Sequence, residues 1–402
     1  MPSALVFYHY FHPDDVVSAE HYADLCKGLK ARGWDVTVMP CNRGCRNEAR
    51  SYPRREIWEG IDIKRVWRPG FRQASFLGRL ANSAWMIMAW SFAAFRYSPD
   101  VMIIGTDPVF AVVTSIPWKL IRPRTYIMHW CFDLHPEAAI ASGMVARNSL
   151  PVRILRPILR KAYRACSRVG SIGPCMTQRL RDYEPMLPID TFTPWALSEP
   201  LCVIEPDPEE RRLVFGDAEL TLMYSGNFGQ AHSFELILAL ARKLRSHDSI
   251  RFAFSVRGNR EKALREAVTA EDTNVSFPAF APQERLEQRL SAADIHMVSL
   301  RAGYEGTVVP SKFQGALAAG RPILFSGPPD SAVSKWIQEY NLGWTLTEEN
   351  LDNVANSLIQ LVYSPEQRRG LNQSCFEVYQ KQFSRTIVID HLDKDLKAMV
   401  GT

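Results

Sequence analysis

Two kinds of hydrophobic run alternate along this chain. Short, continuous apolar stretches rich in branched residues fit strands buried on both faces. Longer stretches, in which apolar residues return every three or four positions, fit amphipathic helices. The first half predicts strands over Ala4–Tyr10, Val36–Met39, Ile61–Val66, Val101–Gly105, Thr125–His129 and Arg168–Gly173, with helical stretches such as His21–Arg32 between them. The pattern restarts with a strand over Leu220–Ser225, a helix over Phe234–Arg245 and a strand over Arg251–Val256. It continues through Ile295–Leu300, a helix over Phe313–Ala319, then Ile323–Phe325 and Trp344–Leu346. Strands joined by helices need crossover connections, so both halves predict parallel sheets in doubly wound α/β domains. The proline-dense segment Pro185–Arg211 reads as the connection between them.

Composition sharpens this picture in a few places. The 402 residues suit two domains, and 46% hydrophobic with 23% charged residues excludes a disordered, collagen-like or polytopic membrane chain. The net charge of +5 conceals an asymmetry: residues 1–200 hold 26 basic against 17 acidic side chains, and the rest hold 22 against 26. A basic first half points to an anionic partner there, whether nucleic acid, phosphate ester or membrane surface. The 8 cysteines are scattered, without zinc-site spacing, and read as free thiols in a reducing cytoplasm. The N-terminus reads as the start of a folded strand rather than a secretory signal.

Ligands of open α/β sheets bind just beyond the carboxyl ends of strands, so the loops there are the places to search. Ser225-Gly226-Asn227-Phe228-Gly229-Gln230-Ala231-His232 leaves one predicted strand and enters a helix. It is either a plain turn or a loop whose backbone, with the free N–H groups of the helix start, approaches a phosphate. Arg301 to Lys312 follows the strand Ile295–Leu300 and carries Glu305, Ser311 and Lys312. That set suits a polyol held by the carboxylate and a diphosphate held by backbone and lysine; the alternative is a solvated loop with a serine cap. In the first half, His129-Trp130-Cys131-Phe132-Asp133-Leu134-His135-Pro136-Glu137 follows a strand. Asp133 or Glu137 could orient an acceptor hydroxyl or act as a base, whereas His129 reads as a buried structural histidine. The loop Tyr8 to Glu20, with Ser18 as helix cap and His9 and His12 as second-choice site residues, borders the same region.

Two further features concern surfaces. The uncharged stretch Leu80–Phe95 is short of the roughly 20 residues that span a bilayer. Arg153, Arg156, Arg160, Arg164 and Arg168 recur at near-helical spacing, interrupted by Pro157. These are a core helix and a solvated basic face, or aromatic and arginine anchors on an anionic membrane. The arginines lack a nucleic-acid-binding module around them, so no nucleic acid partner is expected.

The segments Tyr224–Gly229, Glu305–Lys312, Leu317–Pro322 and Gly327–Ser331, with Trp130 and Asp133-Leu134-His135-Pro136-Glu137, carry a resemblance over nearly the whole chain. It resembles the GT-B glycosyltransferases of the family-4 type, in particular the exopolysaccharide and O-antigen subgroup near colanic-acid and N-acetylfucosamine transferases. The resemblance implies two Rossmann-like domains facing a central cleft: residues 1–190 binding the acceptor, 191–385 binding a nucleotide-sugar donor, and a helix over 386–402 returning to the first domain. It implies a hexosyltransferase that works with retention on a glycan or polyprenyl-linked acceptor, without metal or cofactor. The enzyme would be cytoplasmic, at most peripheral at the inner face of the membrane. Asp133, Glu305 and Lys312 would carry catalysis. Ser225, Gly226, Asn227, His232, Arg257, Arg301, Gly306, Thr307, Val308 and Ser311 would hold the donor.

Four positions depart from the family pattern. The ribose-binding glutamate is replaced by Gly315. A basic pair has become Asn227 and His232, which leaves Lys312, Arg257 or Arg301 to supply charge. Asp14-Asp15-Val16-Val17 stands where a glycine pair is common, and Phe132 where histidine is common. A GT-B sugar-nucleotide epimerase and a non-catalytic membrane scaffold are the rival readings.

Overall fold

In the computed structural model, which describes all positions except 15, 74, 282–284 and 402, the chain forms two compact units. The first comprises Met1–Thr193, Gly306–Val308 and Val388–Thr402; the second comprises Pro194–Glu305 and Val309–Ile387.

The first unit is built on eight strands: β1 (Ser3–Phe7), β2 (Asp35–Val38), β3 (Arg55–Trp58), β4 (Ile61–Lys64), β5 (Val101–Ile104), β6 (Tyr126–Trp130), β7 (Arg168–Ser171) and β8 (Ile189–Thr191). Their order is β3-β4-β2-β1-β5-β6-β7-β8, parallel throughout except for the β3–β4 pair. Helices cover a parallel sheet on both faces, which is why β1 and β5 are apolar at every position from Ala4 and from Val101. Val6 pairs with Val38 on one side and Ile103 on the other. The strand order reverses direction between β1 and β5, so the loops that leave them diverge and open a recess at the sheet's carboxyl edge.

The second unit repeats the plan with six parallel strands: β9 (Leu220–Asn227), β10 (Ile250–Arg257), β11 (Val275–Ser276), β12 (Ile295–Ser299), β13 (Ile323–Ser326) and β14 (Gly343–Leu346). The order is β11-β10-β9-β12-β13-β14, with the reversal between β9 and β12. Leu220, Leu222, Tyr224, Phe252, Phe254 and Leu324 anchor its core.

The last helix, Arg385–Val400, belongs to the first unit from Val388 onward. Asp393 Oδ1 accepts from the fully buried Trp34 indole N–H at 2.6 Å. Asp395 accepts from Arg168 Nε at 2.9 Å, and Asp390 accepts from Arg32 Nε at 2.8 Å.

The structure corrects several expectations. The segment Pro185–Arg211 is not wholly a connection: Ile189–Thr191 adds β8 to the first sheet, and the helix Pro208–Phe215 starts before it ends. Ser18 does not cap the first helix. That helix runs Val17–Ala31 behind Val16, whose side chain has no oxygen to offer, and Ser18 bonds the Tyr8 phenol from within the first turn. Asp15 lies outside the described residues. Pro157 does not interrupt the helix that carries the arginine series, although the series is not one continuous face, as expected. Arg168 is in β7, and the helix Leu150–Ala165 carries the other four with Pro157 inside it. The helix Phe76–Ala93 buries Met86 and Trp90 and exposes Phe76, Leu77 and Phe92. Among the described residues no helix is long and apolar enough to cross a membrane.

Candidate active site

In the second unit, the loops after β9 and β12 meet at the switch point. The β9 strand ends in Ser225, Gly226 and Asn227. Lys312, on the helix Lys312–Ala318, reaches back across that end: its Nζ donates to the Asn227 carbonyl at 2.7 Å and lies 5.2 Å from the Tyr224 ring centroid. Gly226 eases this crossing: its φ of 122° suits glycine, and a Cβ there would crowd Lys312 Cε at 3.1 Å. Burial lowers the Lys312 pKa to about 8. An anion placed beside it would favour the ammonium form again.

The loop beyond β12 holds Glu305 in place through the Gly303 N–H, which approaches its carboxylate oxygens at 2.9 and 3.1 Å. Arg301 ties the two loops together: its N–H donates to the Ala231 carbonyl at 2.8 Å, and its guanidinium to the Gln230 carbonyl at 3.2 Å. Arg257, at the end of β10, stacks its guanidinium 4.3 Å over Phe280. Ser311 precedes the Lys312 helix, and its side chain makes no capping bond.

His232 Nδ1 lies 2.9 Å from the Ser299 carbonyl, so that nitrogen carries the proton. Burial first, then the charges of Lys312 and Arg260, lower its pKa to about 4. Neutral His232 therefore offers an acceptor at Nε2, suited to a sugar hydroxyl and not to a phosphate oxygen. The start of the following helix, Glu235–Lys243, is also less open than its sequence suggests. The Ser233 N–H donates to Ser299 Oγ at 3.2 Å and the Phe234 N–H to the Glu235 carboxylate at 2.8 Å. Those N–H groups are already satisfied by protein oxygens.

Gly306, Thr307 and Val308 group with the first unit. Gly306 and Thr307 are buried, and the Thr307 carbonyl accepts from the Leu134 N–H at 3.0 Å. Gly306 has φ 71°, and a Cβ there would stand 2.4 Å from the Cys175 carbonyl oxygen.

The first unit's own switch point gathers residues from three strand ends. His9 follows β1, Asp107 follows β5 and Asp133 follows β6. His9 Nδ1 lies 3.2 Å from Asp107 Oδ1. Burial disfavours charge on His9, but the Asp107 carboxylate and a bond to Cys41 outweigh it and raise the pKa to about 9. Asp133 is raised to about 6 by the surrounding protein and then by Asp107. Asp133 and His135 line a narrow recess with Thr106, His129, Leu159 and Tyr163. His129 is buried, bonded to the Ile104 carbonyl at 3.0 Å, and lowered to about 4, the environment of a structural imidazole. Sequence reasoning misses Asp107, although it stands two residues beyond the predicted strand Val101–Gly105, where the strand-end rule points. Among the described residues no three His, Cys, Asp or Glu side chains group to hold a metal.

Two doubly wound units, each with charged and polar loops at its strand-order reversal, define the GT-B class of fold. A glycosyl transferase 4-like domain matches residues 18–189, and the chain is similar to glycosyltransferases with the GT-B fold. Pseudomonas aeruginosa WbjE, assigned as a glycosyltransferase, is 25% identical over 64% of this chain and 67% of its own. Escherichia coli K12 WcaI, assigned to glycosyl transfer in colanic acid biosynthesis, is 22% identical over 79% and 81%. Sucrose-phosphate synthase from Thermosynechococcus elongatus shares the fold with TM-score 0.73 at 14% identity, covering 100% of both chains. Anabaena HepE, solved with UDP, shares it with TM-score 0.66 at 11% identity, covering 99% of this chain and 100% of its own.

Proposed function

We propose that the chain moves a sugar from a nucleoside-diphosphate sugar to a glycan or polyprenyl-linked acceptor in cell-surface polysaccharide biosynthesis, with retention at the anomeric carbon. The observation that carries this reading is Lys312 lying across the end of β9, with Glu305 on the loop beyond β12. A cation for a diphosphate and a carboxylate for sugar hydroxyls then share one switch point. HepE's complex with UDP and WcaI's assignment to colanic acid biosynthesis support the donor class and the setting.

In this reading the acceptor oxygen bonds to the sugar's anomeric carbon as that carbon's bond to the diphosphate oxygen breaks. The electron pair leaves with the diphosphate, Lys312 stabilises the charge that develops there, and the acceptor hydroxyl's proton passes to the departing diphosphate oxygen on the same face. Arg257 and Arg301 add positive charge, so transfer is expected to persist in a metal chelator. Ser225, Gly226 and Asn227 bring backbone close to the phosphates, with Gly306, Thr307, Val308 and Ser311 on the neighbouring loop. His232 accepts from a sugar hydroxyl. Asp133 accepts from the acceptor hydroxyl and orients it.

Glu305→Ala and Lys312→Ala are each expected to abolish transfer while circular dichroism and melting stay native. Wild-type turnover in either variant contradicts the assignment. Conversion of the donor sugar without any acceptor would show an epimerase instead. The exposed Phe76 (71%), Leu77 (73%) and Phe92 (61%), in a basic half of the chain, further support residence at an anionic lipid surface.

A further inference from the structure

A groove of about 390 Å³ lies wholly within the second unit, along the outer edge of its sheet. The strand β14 ends the strand order and pairs with β13 on its inner side, whereas the loops of the candidate donor site leave β9 and β12. The helix Ala332–Tyr340 contributes Ile337 and Gln338, and Asn341 follows it. Asn350 and Val354, at the start of the helix Leu351–Val362, and Trp344 and Thr345 of β14 complete the lining. The volume falls within the roughly 300–1,000 Å³ of sites that hold small ligands.

The groove's chemistry is neutral. Every side chain that lines it is uncharged, so a phosphate, a nucleotide or a lipid headgroup would find no counter-charge there. The polar groups left open are those that suit hydroxyls. Trp344 is half-buried and packs against the core, and its indole N–H is unpartnered and open to solvent. Gln338 and Asn341 are exposed, and among the described residues their amides make no bond to protein. Asn341 is held in place all the same, because it closes its helix in the left-handed conformation at φ 56°. An amide offers donor and acceptor side by side, as neighbouring sugar hydroxyls require, and an indole offers apolar surface to the C–H face of a pyranose ring. An extended peptide is the other neutral occupant that an edge strand invites. Backbone groups alternate between the two edges of a strand. The Leu342 carbonyl accepts from Ile323 in β13, so Thr345 and Thr347 turn theirs outward. Asn350 already occupies them: its amide donates to the Thr345 carbonyl at 2.7 Å, and its Oδ1 accepts from the Thr347 N–H at 2.9 Å. A pairing peptide loses those partners, whereas a sugar does not need them.

We propose that this groove binds a neutral oligosaccharide, with one ring on Trp344 and hydroxyls bonded by Gln338 and Asn341. The inference goes beyond the transfer reading. The groove shares no residue with the Lys312 and Glu305 loops, and it holds glycan whether or not a nucleotide is bound. Where the transfer reading also holds, the groove keeps the growing chain on the enzyme between transfers.

The test is titration calorimetry of the full chain with maltohexaose, cellohexaose and mannohexaose, and with an alternating threonine–valine hexapeptide, each with and without saturating UDP. At least one hexasaccharide is expected to bind, with the same affinity when UDP is present. Trp344→Ala should weaken that binding by about tenfold or more. Because Trp344 also packs on the core, a second variant combines two exposed changes, Gln338→Ala and Asn341→Gly; glycine accepts the left-handed backbone there, so the fold is kept. That pair should weaken binding by roughly fivefold or more and leave UDP binding unchanged. Binding of none of the three hexasaccharides, binding that ignores these changes, or binding that UDP displaces overturns the proposal. Binding of the hexapeptide alone, weakened by the same changes, would show strand pairing instead and overturns it too. UDP binding is a separate readout: its absence counts against the donor site, and hexasaccharide binding that persists without it leaves the groove standing.

Discussion

Lys312 is the residue on which the donor reading turns, and its protonation gives a direct handle. Its pKa stands at about 8, below the ordinary value near 10.4, so at pH 8 about half the free protein lacks this charge. A diphosphate restores the ammonium form. Binding of UDP at pH 8 is therefore expected to take up roughly half a proton, and affinity should fall as pH rises above 8. Calorimetry in buffers of different ionisation heats measures the uptake, and Lys312→Ala should remove it. Asp133 works in the opposite range. With its pKa near 6, the ionised form that orients an acceptor is lost as pH falls through 6, so transfer should show an acid limb there. Asp107→Asn removes one of the two causes of the raised value and should move that limb to lower pH. A limb that stays in place would separate Asp133 from the chemistry.

At the scale of elements, the sequence patterns located what burial dictates and missed what it does not. The strands β1, β5, β9 and β12 are mostly apolar and mostly buried, and their sequences show it. The β3 strand alternates exposed with half-buried residues at the sheet edge, so it carries no hydrophobic signal. The three half-buried residues of β8 sit among prolines that read as a connection. The site shows the same division. Strand-end position pointed to Glu305, Lys312 and Asp133, but the His9–Asp107 pair depends on two strand ends 98 residues apart meeting across a sheet. Nor does spacing show that Gly306 and Thr307 bury themselves with the first unit. Gly306→Ala tests that placement. Positive φ and a Cβ 2.4 Å from a backbone oxygen should cost at least about 1 to 3 kcal/mol, read as a lower denaturation midpoint. Full stability in that variant would contradict the packing.

At the scale of the whole molecule, the chain holds two copies of one architectural plan. Each unit places the loops proposed to act where strand order reverses, and the last helix returns to the first unit through Trp34 and Arg168. The same unit carries the exposed apolar residues proposed to meet a membrane. Phe76, Leu77 and Phe92 changed together to serine should abolish flotation with vesicles containing anionic lipid and leave UDP binding intact. Equal flotation would remove the membrane from the account. The central claim is the nucleotide-sugar site on the second unit, and the most direct measurement is the melting temperature against UDP, GDP, ADP, CDP and TDP. A nucleotide at about 100 times its dissociation constant adds roughly 2.7 kcal/mol of stability, a clear upward shift. One nucleotide is expected to produce that shift, and Lys312→Ala to erase it. No shift with any of the five, in folded protein, would contradict it.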